Sequence, residues 1–195
     1  MGQQAHEGDR LIHIRHSAMQ LFKERGYAAT TMRDLANKVG IEAASLYNHI
    51  DSKQSILSSI CFEMSRHYST GLSDMVESDE AAIQRLKAMV VRHIDIILQF
   101  TDEAAVAERE WRHLQEPAYS DYRRSRQIYE KTIESLIEQA MINGELRKAH
   151  SKIILYTLLA SVQWIQMWYH KGRSISKETL REDIVSILFD GVTSN

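Results

Sequence analysis

The chain has 195 residues, 44% apolar and 26% charged, with a formal net charge of −2. Such a make-up belongs to a globular protein of one medium or two small domains with a sizeable core, and it excludes a strongly basic coat protein for nucleic acid. The lone Cys61 excludes an intramolecular disulfide and fits a reducing compartment, as a buried thiol on a helix.

The first ten residues, MGQQAHEGDR, lack the apolar run of a secretion signal and break the myristoylation pattern at His6, so an unstructured arm is expected there. From about Asp9 to Arg25, Leu11, Ile14, Ala18 and Leu21/Phe22 recur at helical spacing and predict a first helix. Thr31 as N-cap with Asp34 three residues later predicts a capping box, and Leu35, Ala36 and Val39 give the following helix its apolar stripe. Gly40 supplies the positive φ that ends it. Ala44 to Ile50 then read as a second short helix. Its Leu46 and Ile50 face inward, and Ala43, Ser45, Tyr47, Asn48 and His49 are left for a partner. Helix, glycine turn and helix form the grammar of a DNA-binding helix-turn-helix.

A fourth helix starts at the Asp51/Ser52 cap and runs through Leu57, Ile60, Met64 and Tyr68, and Gly71 with the polar run Ser73 to Glu80 loosens its end. Five more helices are expected, at about 80–100, 102–114, 118–143, 151–171 and 177–192, with Pro117 separating the second of these from the third. Gly26, Gly40, Gly144 and Gly172 stand where helical patterns stop. The uncharged stretch 153–169 is too short for a bilayer and contains Ser161, Gln163 and Gln166, so a buried helix accounts for it. In the last helix Leu180, Ile184, Ile187, Leu188 and Val192 share one stripe. With the apolar helix before it, which carries Tyr156, this exceeds what one body domain buries. The surplus predicts a homodimer interface of two helices from each subunit, centred on Tyr156, Leu180, Ile184, Ile187 and Leu188.

The run Gly26-Tyr27, Thr30-Thr31, Arg33-Asp34-Leu35-Ala36, Gly40-Ile41, Ser45-Leu46-Tyr47, His49, Ser52-Lys53 and Ile56-Leu57 closely resembles the N-terminal signature of the tetracycline-repressor (TetR) family of bacterial transcription regulators. The resemblance is dense over about the first 60 residues and looser over the helical remainder. Family members often carry Ser, Lys and Gly or a similar small residue where this chain has Glu42, Ala43 and Ala44, and Glu42 puts an acidic group beside the DNA-facing helix, so the operator sequence is not to be borrowed from relatives. Residues 1–53 hold seven Lys/Arg against six Asp/Glu. With that balance, affinity has to come from placed contacts: helix N-termini, Thr31, Arg33, Tyr47, His49 and Lys53 on phosphates, and Ala43, Ala44, Ser45 and Asn48 nearest base edges.

The resemblance implies a small-molecule site in the body, for which Met89, His93, Ile97, Trp111, Tyr129, Trp164, Met167 and Trp168 are the candidates. Glu110-Trp111-Arg112-His113-Leu114, Glu116-Pro117, Tyr122-Arg123-Arg124, Tyr129-Glu130, Trp168-Tyr169 and Gly172-Arg173-Ser174-Ile175-Ser176 further resemble the branch of the family that governs fatty-acid, steroid or aromatic-acid catabolism and often answers to coenzyme A thioesters. Arg109, Arg112 and Arg123, with Arg124 and Arg126, are the guanidinium groups suited to the phosphates of such an effector; on a solvated surface they pair instead with Glu108, Glu110, Glu116 and Glu130.

Two rival classes fit the sequence less well. Glu110-x-x-His113 has the spacing of a di-iron carboxylate bundle, but the chain has no second copy. His13 and His16, also i and i+3, have no Cys or carboxylate cluster beside them, and phosphate loops, nucleophile elbows and HExxH are absent from the sequence. A purely structural helical dimer explains the helices but not the match over Thr30–Leu57. The expectation is therefore an all-α, cytoplasmic, dimeric regulator, most simply a repressor, without catalytic residues, cofactor, metal or membrane contact. Residues 1–53 form its DNA-binding head, residues 54–195 its sensing and dimerisation body, and its partners are double-stranded operator DNA and a small effector such as an acyl-CoA.

Overall fold

Apolar residues at helical spacing, punctuated by caps and left-handed glycines, fold the chain into helices alone. The computed structural model describes residues 2–169 and 175–193, and no strand occurs among them. In chain order the helices are α1 (Gly2–Arg25), α2 (Met32–Val39), α3 (Ala43–Leu46), α4 (Lys53–Ser69), α5 (Leu72–Glu77), α6 (Ala82–Gln99), α7 (Thr101–Glu110), α8 (Ala118–Ile142), α9 (Ser151–Gln163), α10 (Ile165–Trp168) and α11 (Lys177–Asp190), with a 3-10 turn at Trp111–His113.

The nine expected helices are all present, and two more appear. Part of the polar run after Gly71 coils into α5, which Leu72 anchors in the core. The long apolar helix divides into α9 and α10 at Trp164, whose dihedrals remain helical (φ −65°, ψ −20°) while Met167 N–H bonds Trp164 O, a tightened 3-10-type step rather than a break. The same tightening shortens α3. Asn48 N–H and His49 N–H reach back three residues, to Ser45 O and Leu46 O, so Tyr47, Asn48 and His49 lie in a turn instead of the last turn of a helix. At the N-terminus the helix begins at Gly2, where an unstructured arm was expected. Gln3, Gln4, Ala5, His6 and Glu7 are helix-compatible, and absence of an apolar stripe does not bar helix. The Gly172–Ser174 part of the family resemblance and the end of the expected helix 151–171 lie outside the described residues.

Packing divides the chain into two units. The first comprises Met1–Ser65 and Asp102–Arg124, so the helix-turn-helix shares a unit with α7, the 3-10 turn and the start of α8. Its core is built from Ile14, Ala18, Phe22, Leu35, Leu46 and Leu57, all at most 1% exposed, with α1 packed on α2 and α2 on α3. The second unit comprises Arg66–Thr101 and Ser125–Asn195. There α6 is the central helix, packed against α5, α9, α10 and α11. Leu86, Met89, Val90, Ile94 and Ile97 of α6, Ile133, Leu136 and Ile137 of α8, and Leu155, Leu158 and Val162 of α9 are buried in it.

Candidate DNA-reading face and ligand-sensing core

The head is rigidified by local chemistry. Asp34 N–H donates to Thr31 Oγ1 (3.1 Å) while the Asp34 carboxylate accepts from Thr31 N–H (2.9 Å) and from the Thr31 hydroxyl (2.6 Å), the capping box expected from sequence. These bonds to the charged form hold the Asp34 carboxyl below its ordinary pKa. At the other end Gly40 sits at φ 77°, and the N–H groups of Gly40 and Ile41 both bond Ala36 O. Leu46 and Ile50 anchor the next segment, at 0% and 7% exposure. Thr31, Arg33, Ala43, Ala44, Tyr47 and Asn48 are exposed, and Ser45 and His49 partly so. Eight of the nine expected DNA-contacting residues are thus outward on one capped frame.

The ninth, Lys53, has a second duty. Its ammonium donates to the carbonyl oxygens of Tyr27 (2.8 Å) and Thr30 (2.6 Å) and lies 4.2 Å from the centre of the Tyr27 ring. Partial burial lowers its pKa. Of three N–H bonds two close the loop between α1 and α2, leaving one for a phosphate.

Arg109, expected at the mouth of a ligand site, is tied to the head within the first unit. Its guanidinium donates to Phe22 O and to Lys23 O (3.1 Å), the last carbonyls of α1, and its Nε donates to Glu110 (2.6 Å). Glu110 is 4% exposed, and His113 Nδ1 lies 3.2 Å from its other oxygen. The His113 ring packs tilted against Tyr27 with ring centres 5.5 Å apart, and its carbonyl accepts from Gln54. Glu110 and His113 therefore do share a face, as the i, i+3 spacing requires, and their face meets the end of α1. Arg112 lies over the Trp111 ring at 4.7 Å, Trp111 stacks on Tyr119, and Arg123 is exposed. Nothing in the sequence signalled the Arg109 contact, since its partners stand 86 and 87 residues earlier.

In the second unit the structure does bring three candidates together. His93, 3% exposed on α6, has Nδ1 2.9 Å from the Tyr129 hydroxyl of α8, and that hydroxyl lies 3.6 Å from Met89 Sδ. Burial lowers the His93 pKa to about 3 and raises that of Tyr129, so both are neutral at physiological pH. Tyr68 packs on the His93 ring at 4.5 Å. In the sequence Tyr68 only continues the Leu57, Ile60, Met64 series of the fourth helix, and nothing there marks it as a neighbour of His93. A cavity of about 320 Å³ lies alongside, walled by Leu72, Val76, Ile128, Tyr129 and Thr132 among others. Ile97 is buried in the packing of this unit, while Trp164 and Trp168 are turned out, 63% and 40% exposed.

Those tryptophans belong to an outer face. Ile153, Tyr156, Ala160, Trp164 and Met167 are all exposed and recur every three or four residues along α9 and α10, the seam spacing of paired helices. Of the expected interface residues on α11, Ile187 is 51% exposed, Ile184 and Leu188 are partly covered, and Leu180 is buried within its own unit at 2%.

Family models match both parts of the chain: residues 14–60 fit "Bacterial regulatory proteins, tetR family", and residues 79–192 fit "Tetracyclin repressor-like, C-terminal domain". The HTH-type transcriptional repressor KstR2 of Rhodococcus jostii is 27% identical over 179 residues, covering 91% of this chain and 88% of its own. Among solved structures, a probable transcriptional regulatory protein, RHA5900, superposes with a TM-score of 0.86 at 25% identity, over 95% of this chain and 100% of that one. AibR, crystallised with isovaleryl coenzyme A and operator DNA, superposes with a TM-score of 0.79 at 23% identity, over 92% and 98%.

Proposed function

Since the chain belongs to the TetR family of bacterial regulatory proteins, we propose that it is a dimeric transcriptional repressor, released from a palindromic operator by a small, largely apolar effector. The observation that carries this reading is the outward face of Ala43, Ala44, Tyr47 and Asn48, following the capped α2, inside the segment that fits the family model. Residues 1–53 read DNA, and residues 54–195 sense and dimerise. The protein acts in the cytoplasm, where its operator is, with no catalytic residue and no cofactor.

Operator binding tests the reading directly. Two heads on one palindrome stand about 34 Å apart or a multiple of it, so binding should require a two-fold site and weaken steeply with salt. Lys53→Ala should weaken all DNA sequences about equally and reduce the log–log salt slope by about one unit. It should also lower the melting temperature of the free protein, because Thr30 O loses its side-chain donor and Tyr27 O keeps only the Thr30 N–H. A loss confined to one operator base would refute the phosphate role.

For the effector we propose a coenzyme A thioester. Support comes from the likeness to KstR2 and to the AibR complex, together with an apolar body that offers a cavity. Arg109 is engaged by α1 and drops out as a phosphate ligand, while Arg112, Arg123 and Arg124 remain exposed. An effector acts only through its difference in affinity for the two head arrangements. A tenfold loss of operator affinity corresponds to a coupling of about 1.4 kcal/mol, and operator must weaken effector binding by the same factor. Titration with isovaleryl coenzyme A and longer or cyclic acyl thioesters, with and without operator, measures both halves. Binding of a free acid or a hydrophobic cation while every thioester fails would reject the thioester.

A further inference from the structure

The buried His93–Tyr129 pair carries one hydrogen more than its neighbours use well. Between them the two side chains hold an O–H and, on the neutral imidazole, a single N–H. One of these hydrogens makes the 2.9 Å contact between His93 Nδ1 and the Tyr129 hydroxyl. If Tyr129 donates, the imidazole hydrogen stands on Nε2, which is buried and meets no acceptor among the described residues. If His93 donates from Nδ1, the remaining hydrogen is the Tyr129 O–H, which faces Met89 Sδ at 3.6 Å, and only a lone pair is left bare on Nε2. Buried N–H groups without acceptors are rarer than bare acceptors, so the second arrangement is preferred. It leaves a strong phenol donor facing a weak thioether acceptor. Any carbonyl oxygen that reaches the hydroxyl displaces the sulfur with gain.

Tyr129 is also a wall of the 320 Å³ cavity, together with Leu72, Val76, Ile128 and Thr132. Glu77 is the carboxylate of that wall, and among the described residues the wall has no cation. Ser69, Ser73 and Thr132 add hydroxyls between the apolar Leu72, Val76 and Ile128, so the lining suits an uncharged molecule with apolar and polar parts, and Glu77 disfavours an anionic one.

We propose that the Tyr129 hydroxyl, oriented by His93, recognises an uncharged carbonyl oxygen on the apolar part of the effector. This rests on the reading of the body as a sensor and narrows its ligand to a ketone, ester or thioester whose carbonyl enters this cavity. Tyr129 is the recognition residue and His93 a positioning residue.

The probe is 1-decalone, set against decalin of nearly the same shape and against decalin-2-carboxylate, with binding to the full chain followed by calorimetry. The ketone should bind about tenfold more tightly than the hydrocarbon, the size of one well-made hydrogen bond, and the carboxylate more weakly than the ketone. Tyr129→Phe should bring ketone and hydrocarbon level. His93→Leu should reduce the preference, and His93→Asn, which keeps an N–H near the Nδ1 position, should restore part of it. Nitrogen NMR of 15N-histidine protein adds a readout that needs no ligand: His93 should carry its hydrogen on Nδ1. Equal affinity for ketone and hydrocarbon, no binding of either, tighter carboxylate binding, or a hydrogen on Nε2 would each overturn the proposal. Salt-dependent operator binding by the same preparation tells such a failure apart from failure of the regulator reading.

Discussion

Glutamate at Ala160 and Trp164 together should turn the protein from dimer to monomer. Both positions are exposed on the α9–α10 stripe, so neither change disturbs the packing of its own subunit. In a helix pair formed by two copies of this stripe, each glutamate would bury an unpaired charge, at a cost of about 3 kcal/mol or more, and two-fold symmetry repeats every substitution. Dimer dissociation should strengthen by at least roughly a thousandfold. Light scattering at micromolar concentration should then give a mass near the 22.5 kDa of one chain. Operator affinity should fall with it, because untethered heads lose the high effective concentration of the second head. The same substitutions should leave the helical content unchanged. A variant that stays dimeric, or a wild-type chain that is itself a monomer, would refute this face as the interface.

The choice of that face also shows what the sequence made legible. The capping box at Thr31 and Asp34, the left-handed Gly40 and the inward Leu46 and Ile50 could all be read because each depends on residues at most a few positions apart. The stripe of α11 was read correctly as apolar, yet apolarity does not say which side a helix turns to its own core. Leu180 lies in the core of its own unit, whereas Tyr156, Trp164 and Met167, on a helix that looked apolar all round, are left outside. Met89, His93 and Tyr129 were candidates only as a group, and 40 residues of separation hid the hydrogen-bonded contact that joins them. For the tryptophans the bare sequence suggested an interior, since a large aromatic is mostly buried, but an exposed aromatic at seam spacing is equally a sign of a partner.

Arg109 is where a local reading and the fold diverge most, and Arg109→Ala should destabilise the free protein more than truncation of the exposed Arg112 or Arg123. Removing the guanidinium strips Lys23 O of its side-chain donor at the C-terminal end of α1, where helix carbonyls run short of partners, and leaves Phe22 O with the Gly26 N–H alone. It also leaves the Glu110 carboxylate, almost wholly buried, with His113 Nδ1 as its remaining close polar neighbour. Loss of one partner from a buried pair costs several kcal/mol, and the half-exposed guanidinium reduces that to about 2–3 kcal/mol. For a chain of this size the melting temperature should drop by roughly 5–10 °C. Adding Glu110→Gln to Arg109→Ala should recover part of the loss, because the stranded charge is then gone, and the two changes should be non-additive. Hydrogen exchange should quicken at the end of α1 and in the Gly26–Thr30 loop, where Tyr27 meets His113. An arginine held ready for effector phosphates behaves in the opposite way: its truncation spares the free protein and weakens thioester binding alone. Calorimetric melting of the ligand-free variant therefore decides between a group that clamps the head to α7 and one that waits for a ligand, and an unchanged melting temperature would return Arg109 to the second role.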